Sequence, residues 1–294
     1  MKTSIKIAIL LFSVVGAIVG VFIFAKTRVD PPKATDLGNP YAQHLDTMVK
    51  SIGDVEQVSA SEQMTSATKT FWDAYALLEL LQKEERLEPA MGDKSLDKML
   101  GEYVRVLPNA AFTSLRNGDV CSGISQVGDC LKSIKNLKHS DGTSAITTDY
   151  LSTLAPLTDL YNNYRSAWAL TKRSSYNGDF ADVKTRLEEA NSYKEKEYLK
   201  DCGSLMAALD NLPRYISNSH YYYLANWAEE LYAYDSNYSN WGDFQADYSE
   251  FKKAMAEYEN ASDVYGYSNV RDTQTLWNIA NKGYNGAYND SYFQ

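Results

Sequence analysis

Apolar positions recur every three or four residues along nearly the whole chain from Tyr41 onward, the spacing that lines one face of an α-helix. Phe71, Tyr75, Leu78 and Gln82, with Leu77, Leu80 and Leu81 alongside, make one wide stripe of this kind. Val120, Ile124, Val127, Leu131 and Ile134 make another, behind an Asp119 placed to cap it. Alternating Val, Ile and Thr runs, which would mark strands, are absent. The pattern predicts an all-α body, with helices over about 42–58, 61–87, 94–116, 120–138, 147–173, 179–199, 202–211, 219–235, 243–260 and 271–284. Ser59-Ala60-Ser61-Glu62 reads as a capping box, and Pro89, Pro108, Pro156 and Pro213 are expected where helices begin or end. Segment 139–146 is the most loop-like interior stretch and the expected joint between subdomains at 41–140 and 147–294.

Ahead of this body, residues 7–25 carry no charge and are bounded by Lys2 and Lys6 on one side and Lys26 and Arg28 on the other. At about 1.5 Å of rise per residue, such a segment just crosses a hydrocarbon core of roughly 30 Å. It predicts a single membrane anchor within residues 1–28, held in lipid through 7–25, and then an extended Pro-rich spacer at 29–40. The basic head favours a body outside the cytoplasm, facing the periplasm of a bacterial inner membrane. The alternative is a signal peptide cleaved near Ala25 and a secreted body. Gly16 and Gly20 stand one turn apart, the spacing that lets two membrane helices approach and form a homodimer.

Charge narrows the partners. A net charge of −9 argues against nucleic acid, which needs a basic face. Tyrosine is the compositional outlier: of 23, thirteen lie beyond residue 220, interleaved with Asn, Ser and Asp. Rings with a polar tip suit surfaces that are wet on one side, both in helix packing and in recognition. Three cysteines permit at most one internal disulfide. Cys121 and Cys130 fall on opposite faces of one predicted helix and cannot pair with each other. Cys202 is in phase with Leu205, Leu209 and Leu212, so three buried thiols are expected, with a bond from Cys202 to one of the others as the alternative.

The second half repeats itself imperfectly. Tyr164, Trp168 and Ala169 correspond to Tyr223, Trp227 and Ala228; Gly178-Asp179-Phe180 corresponds to Gly242-Asp243-Phe244; Leu187, Ala190 and Tyr193 correspond to Phe251, Ala254 and Tyr258. Each copy reads as helix, Gly-Asp turn, helix, the Gly free to turn left-handed and the Asp placed to cap the second helix. At these residues, from Trp168 to Ala190 and from Trp227 to Ala254, the chain resembles the tetratricopeptide repeat. That resemblance implies stacked helical hairpins of the α-solenoid kind. The family's Leu-Gly pair is missing from both first helices, and the copies stand about sixty residues apart, not 34.

Chemistry is sparsely signalled. Metalloprotease, redox, nucleophile-elbow and phosphate-loop motifs are absent from the sequence, so no catalytic residue, metal ligand or cofactor is nominated and an enzyme is not expected. His44, His139 and His220 stand in unrelated contexts and read as structural. Ser66/Lys69, Ser95/Lys98 and Ser249/Lys252 have serine–lysine nucleophile spacing but lack the companion boxes.

Together these features point to an envelope scaffold binding another envelope protein through Tyr222, Tyr223, Trp227, Tyr234, Tyr238, Trp241 and Tyr248. A glycan- or peptidoglycan-binding module using surface Tyr and Trp is the alternative, with solvent-facing rings flanked by Asp, Asn or Arg. A sensor or stalk subunit is the third.

Overall fold

The computed structural model describes residues 40–291 and Phe293. The expected membrane span at 7–25, its Gly16/Gly20 face and the spacer up to residue 39 lie outside the described residues. Among those described, no helix is long and apolar enough to cross a membrane.

The body is all-α. Its helices are α1 (Pro40–Gly53), α2 (Gln63–Lys83), α3 (Pro89–Asn117), α4 (Val120–Ile134), α5 (Thr148–Thr171), α6 (Phe180–Lys194), α7 (Gly203–Tyr232), the single turn α8 (Tyr234–Asn237), α9 (Trp241–Glu259), α10 (Ala261–Tyr265) and α11 (Gln274–Asn289). The β pairing among the described residues is one isolated antiparallel bridge, Lys138 with Ser144.

Proline is where expectation and structure part. Pro89 opens α3 as expected, but Pro108, Pro156 and Pro213 lie inside helices. The two helices expected at 202–211 and 219–235 are therefore one, α7, running through Pro213. An interior proline costs about 3 kcal/mol through its missing N–H and its clash with the preceding turn. Against that, Leu205, Leu209, Leu212, Ile216, Leu224, Ala228 and Leu231 keep helical phase across it and are all buried. Each large apolar side chain contributes roughly 1.5–3 kcal/mol on burial, so the stripe outweighs the break.

The described chain forms two compact units. Unit 1 takes the residues up to 58 with 64–107 and 136–150; unit 2 takes 59–63, 108–135 and 151 onward. This differs from the expected cut at 139–146, because residues 108–135 pack with the C-terminal half. In unit 2, Phe112 stacks on Tyr198 at 5.2 Å between centroids, and Ser114 Oγ donates to the Ala60 carbonyl at 3.1 Å. Gly128 of α4 brings its backbone against the Tyr161 ring, where a β-carbon would come within 2.1 Å.

A covalent bond fixes the same arrangement. Cys121 and Cys202 form a disulfide with their Cα atoms 4.9 Å apart, across 81 residues of sequence. The expectation of three thiols is corrected: Cys130 alone remains a thiol, buried in the core. Cys121 lies at the N-terminal end of α4, where it meets the Cys202 turn just before α7; periodicity along a single helix carries no information on that meeting.

In unit 1 the core is aromatic and aliphatic. Phe71 and Tyr103 stack at 4.5 Å, and Met99, Leu100 and Leu107 of the same unit are fully buried. The Tyr103 hydroxyl is 2.8 Å from Thr68 Oγ1, so its polar end is satisfied inside the core. In unit 2, Ser59 Oγ donates to Glu62 Oε2 at 2.7 Å, leading into a short 3₁₀ turn before α2.

Candidate interaction surface of unit 2

The hairpin turn at Gly178 forms as its sequence requires. Gly178 has φ +88°, a left-handed conformation that suits glycine, and Asp179 caps α6 by accepting from the Ala181 N–H at 2.8 Å. The second copy does not repeat this. Gly242 and Asp243 lie within the first turn of α9, and the cap is Asn240, whose Oδ1 accepts from the Asp243 N–H at 3.0 Å. Asp243 instead places its negative charge at the helix N-terminus, where the dipole favours it.

Five of the seven expected binding residues assemble around two buried rings of α9. Tyr238, Trp241, Tyr248 and Tyr234 surround Phe244 with centroids at 5.3, 5.8, 6.1 and 6.2 Å. Trp227 packs edge-on against Phe251 at 5.6 Å. One carboxylate ties two of them: Asp247 accepts from Trp227 Nε1 at 2.9 Å and from the Tyr238 hydroxyl. Burial and this carboxylate together push the Tyr238 phenol well above its ordinary range. Tyr248 is buried, stacks on Tyr284 at 4.6 Å and donates to Asn281 Oδ1. Tyr234 donates to Asp290. These rings hold α7, α9 and α11 together, with part of the cluster wet at its edge.

The remaining two lie elsewhere on α7. Tyr223 packs edge-on to Tyr176 at 5.2 Å and to Trp227 at 6.0 Å, and is 40% exposed. Tyr222 is 60% exposed, with the Arg271 guanidinium 5.5 Å from its ring. One α-helical repeat of seven residues before it, Tyr215 is also exposed. On the same face of α7, Asn226 is exposed, while the partly buried Asn211 and Ser219 are engaged internally, Asn211 Nδ2 donating to the Ala207 carbonyl and Ser219 Oγ accepting from the Tyr176 N–H. Sequence reading nominated Tyr222 for its neighbours and missed Tyr215, although the i, i+7 spacing places both on one face.

Behind this face lies a buried polar knot. His220 is fully buried; Tyr176 stacks flat on its ring, and Tyr258 and Phe180 meet it edge-on. Its Nδ1 is 3.4 Å from the Tyr267 hydroxyl, and its Nε2 has no partner among the described residues. Burial lowers its pKa to about 3, so the ring is neutral. Arg186, also buried, donates from Nη1 to the carbonyls of Arg173 and Ser175 and pairs through Nη2 with Asp182 at 3.1 Å. His44 is exposed, and His139 bonds to Asp97 in unit 1. Among the described residues, no group of three His, Cys, Asp or Glu side chains is placed to hold a metal ion.

Comparison with known proteins yields no match: no family model, no curated protein and no solved structure aligns with this chain.

Proposed function

We propose that the protein is a membrane-tethered helical scaffold whose body lies outside the cytoplasm and binds another envelope protein through the tyrosine face of α7. The observation that carries this reading is the pairing of an internal disulfide with that face. Disulfides persist in oxidising compartments, which supports an extracytoplasmic body independently of the N-terminal hydrophobic segment. Tyr215 and Tyr222, more than half exposed on the same face as Asn226, supply rigid contact area to a protein partner. The Gly178 hairpin, α5 to α6, supports a tetratricopeptide-like stack in that part of unit 2, while the second copy reaches a hairpin by a different cap.

The scaffold reading is favoured over a glycan platform by the packing of Trp241, Tyr234 and Tyr238. Their faces and hydroxyls are taken up by Phe244, Asp247 and Asp290, which leaves them poorly placed to stack on sugar rings. Site-specific photocrosslinking in intact cells tests the proposal. A crosslinker at position 215 or 222 is expected to yield one discrete protein adduct, and one at exposed Glu188 of α6 is expected to yield none. Equal labelling from all three positions, or none from 215 and 222, sinks it.

A further inference from the structure

Unit 1 holds a cavity of about 250 Å³ between α2, α3 and a short strap that comes after α4. The strap is built by backbone pairing: His139 N–H donates to the Thr143 carbonyl, Ala145 N–H donates to the Leu137 carbonyl, and Gly142 turns with φ +84°. Two carboxylates of α3 fasten it. Asp93 accepts from Ser140 through both oxygens, from the N–H at 2.8 Å and from Oγ at 2.6 Å, and Asp97 meets His139 Nε2 at 2.9 Å. The chain thus returns 47 residues after Asp93 to complete one wall of the cavity.

The walls differ in character. Leu78, Pro89 and Leu96 are apolar, Tyr75 adds a half-buried ring, and Gln82, Asp93, Lys138 and Ser140 add polar groups. Gln82 is the informative one. Its amide lies directly over Gly92, where any β-carbon would come within 2.0 Å of Nε2. A glycine inside a helix is less favourable than an alanine. Here it seats an amide that makes no side-chain hydrogen bond to any described residue, although that amide carries two donors and an acceptor. The amide is partly exposed at the cavity wall, so its donors and acceptor are open to whatever enters the cavity.

We infer that this cavity binds a single sugar ring. A hydroxyl both donates and accepts, which is what a free amide beside an acceptor carboxylate matches, and neighbouring hydroxyls can engage Gln82 and Asp93 together. Tyr75 and the three aliphatic side chains suit the C–H face of a pyranose. A volume just below the range of drug-sized pockets limits the occupant to one ring. The site is in unit 1 and is independent of the tyrosine face of α7.

The test is titration of the full-length protein with glucose, with its methyl glycoside and with glycine, read by ¹H saturation-transfer NMR and by the emission of Trp72, which packs edge-on to Tyr75 at 5.5 Å. Saturable binding of glucose at millimolar concentration is expected, weakened roughly tenfold in Gln82→Leu by loss of its hydrogen bonds. An unchanged thermal midpoint in that variant separates lost recognition from lost folding. Gly92→Ala, which displaces the amide, is expected to weaken binding in the same way. Binding of the methyl glycoside as tight as glucose marks the end of a glycan as the natural occupant; its loss marks a free sugar. Glycine binding without glucose binding, glucose binding that survives Gln82→Leu, or no binding at tens of millimolar each overturns the assignment.

Discussion

The phenol ring of Tyr176 lies flat on the imidazole of His220, their centroids 3.6 Å apart and their planes 17° from parallel. The stack joins the loop before α6 to the middle of α7 and leaves a titratable ring sealed from water. Glu257, Asp179 and Arg186 act on the neighbouring phenols: Glu257 and Asp179 on Tyr176, Arg186 on Tyr267. None of the three is hydrogen-bonded to the imidazole, so a proton on it would be a buried charge without an ion-pair partner among the described residues.

Acid is therefore expected to destabilise unit 2. The folded pKa of His220 is lowered to about 3 from an ordinary 6.5, so below pH 6.5 the unfolded chain binds the proton first. Stability should fall by roughly 1.4 kcal/mol per pH unit across that window. The test is urea unfolding between pH 7 and about pH 5.5, where ordinary carboxylates remain ionised. His220→Phe should flatten the slope, and an unaltered slope would show that the histidine does not control it.

His139 carries the opposite sign. Its hydrogen bond to Asp97, with the charges of Asp97, Asp93 and Asp141, raises its pKa. Its contribution is complete below pH 6.5 and is lost as the pH rises through the raised value. Amide hydrogen exchange of His139 and Ala145, corrected for intrinsic rates, should accelerate in mildly alkaline buffer. In His139→Gln that pH dependence should disappear.

Reduction of Cys121–Cys202 should lower stability by roughly 2–4 kcal/mol, since the bond removes disorder from a long unfolded loop. For a unit of this size that corresponds to a thermal midpoint lower by about 10 °C. Calorimetry with and without dithiothreitol gives the answer. Cys130→Ala, which leaves the bond intact, should not abolish the response to reductant.

Asp247→Leu should cost roughly 2–3 kcal/mol, because Trp227 Nε1 and the Tyr238 hydroxyl lose one shared acceptor. Asp247→Asn, which retains a carbonyl oxygen, should cost less. Chemical denaturation of both variants checks the order; equal losses would mean that packing, not hydrogen bonding, sets the value of that position.

Gly283 of α11 is pressed on α7, and a β-carbon there would lie 2.2 Å from the Leu231 carbonyl oxygen. Backbone cannot step aside as a side chain can. Gly283→Ala should therefore destabilise by about 3 kcal/mol, near the upper end for overpacked sites. Gly203→Ala, with open space around it, is the control and should be near neutral or stabilising.

By itself, the sequence determined whatever depends on neighbours within a turn or two. The helical stripes of α2 and α4, the Asp119 and Asp179 caps and the separation of Cys121 from Cys130 all stem from a period of 3.6 and from short-range hydrogen bonding. Tertiary structure alone decided whatever joins distant residues. Pro213 stays helical because buried leucines on both sides of it outweigh a local penalty. Cys121 meets Cys202 across 81 residues, Asp247 draws together Trp227 and Tyr238, and Ser140 returns to Asp93 to wall a cavity. Periodicity reports which face of a helix turns inward; it holds no information on which other face it will meet, because that choice is made by the packing of the whole unit.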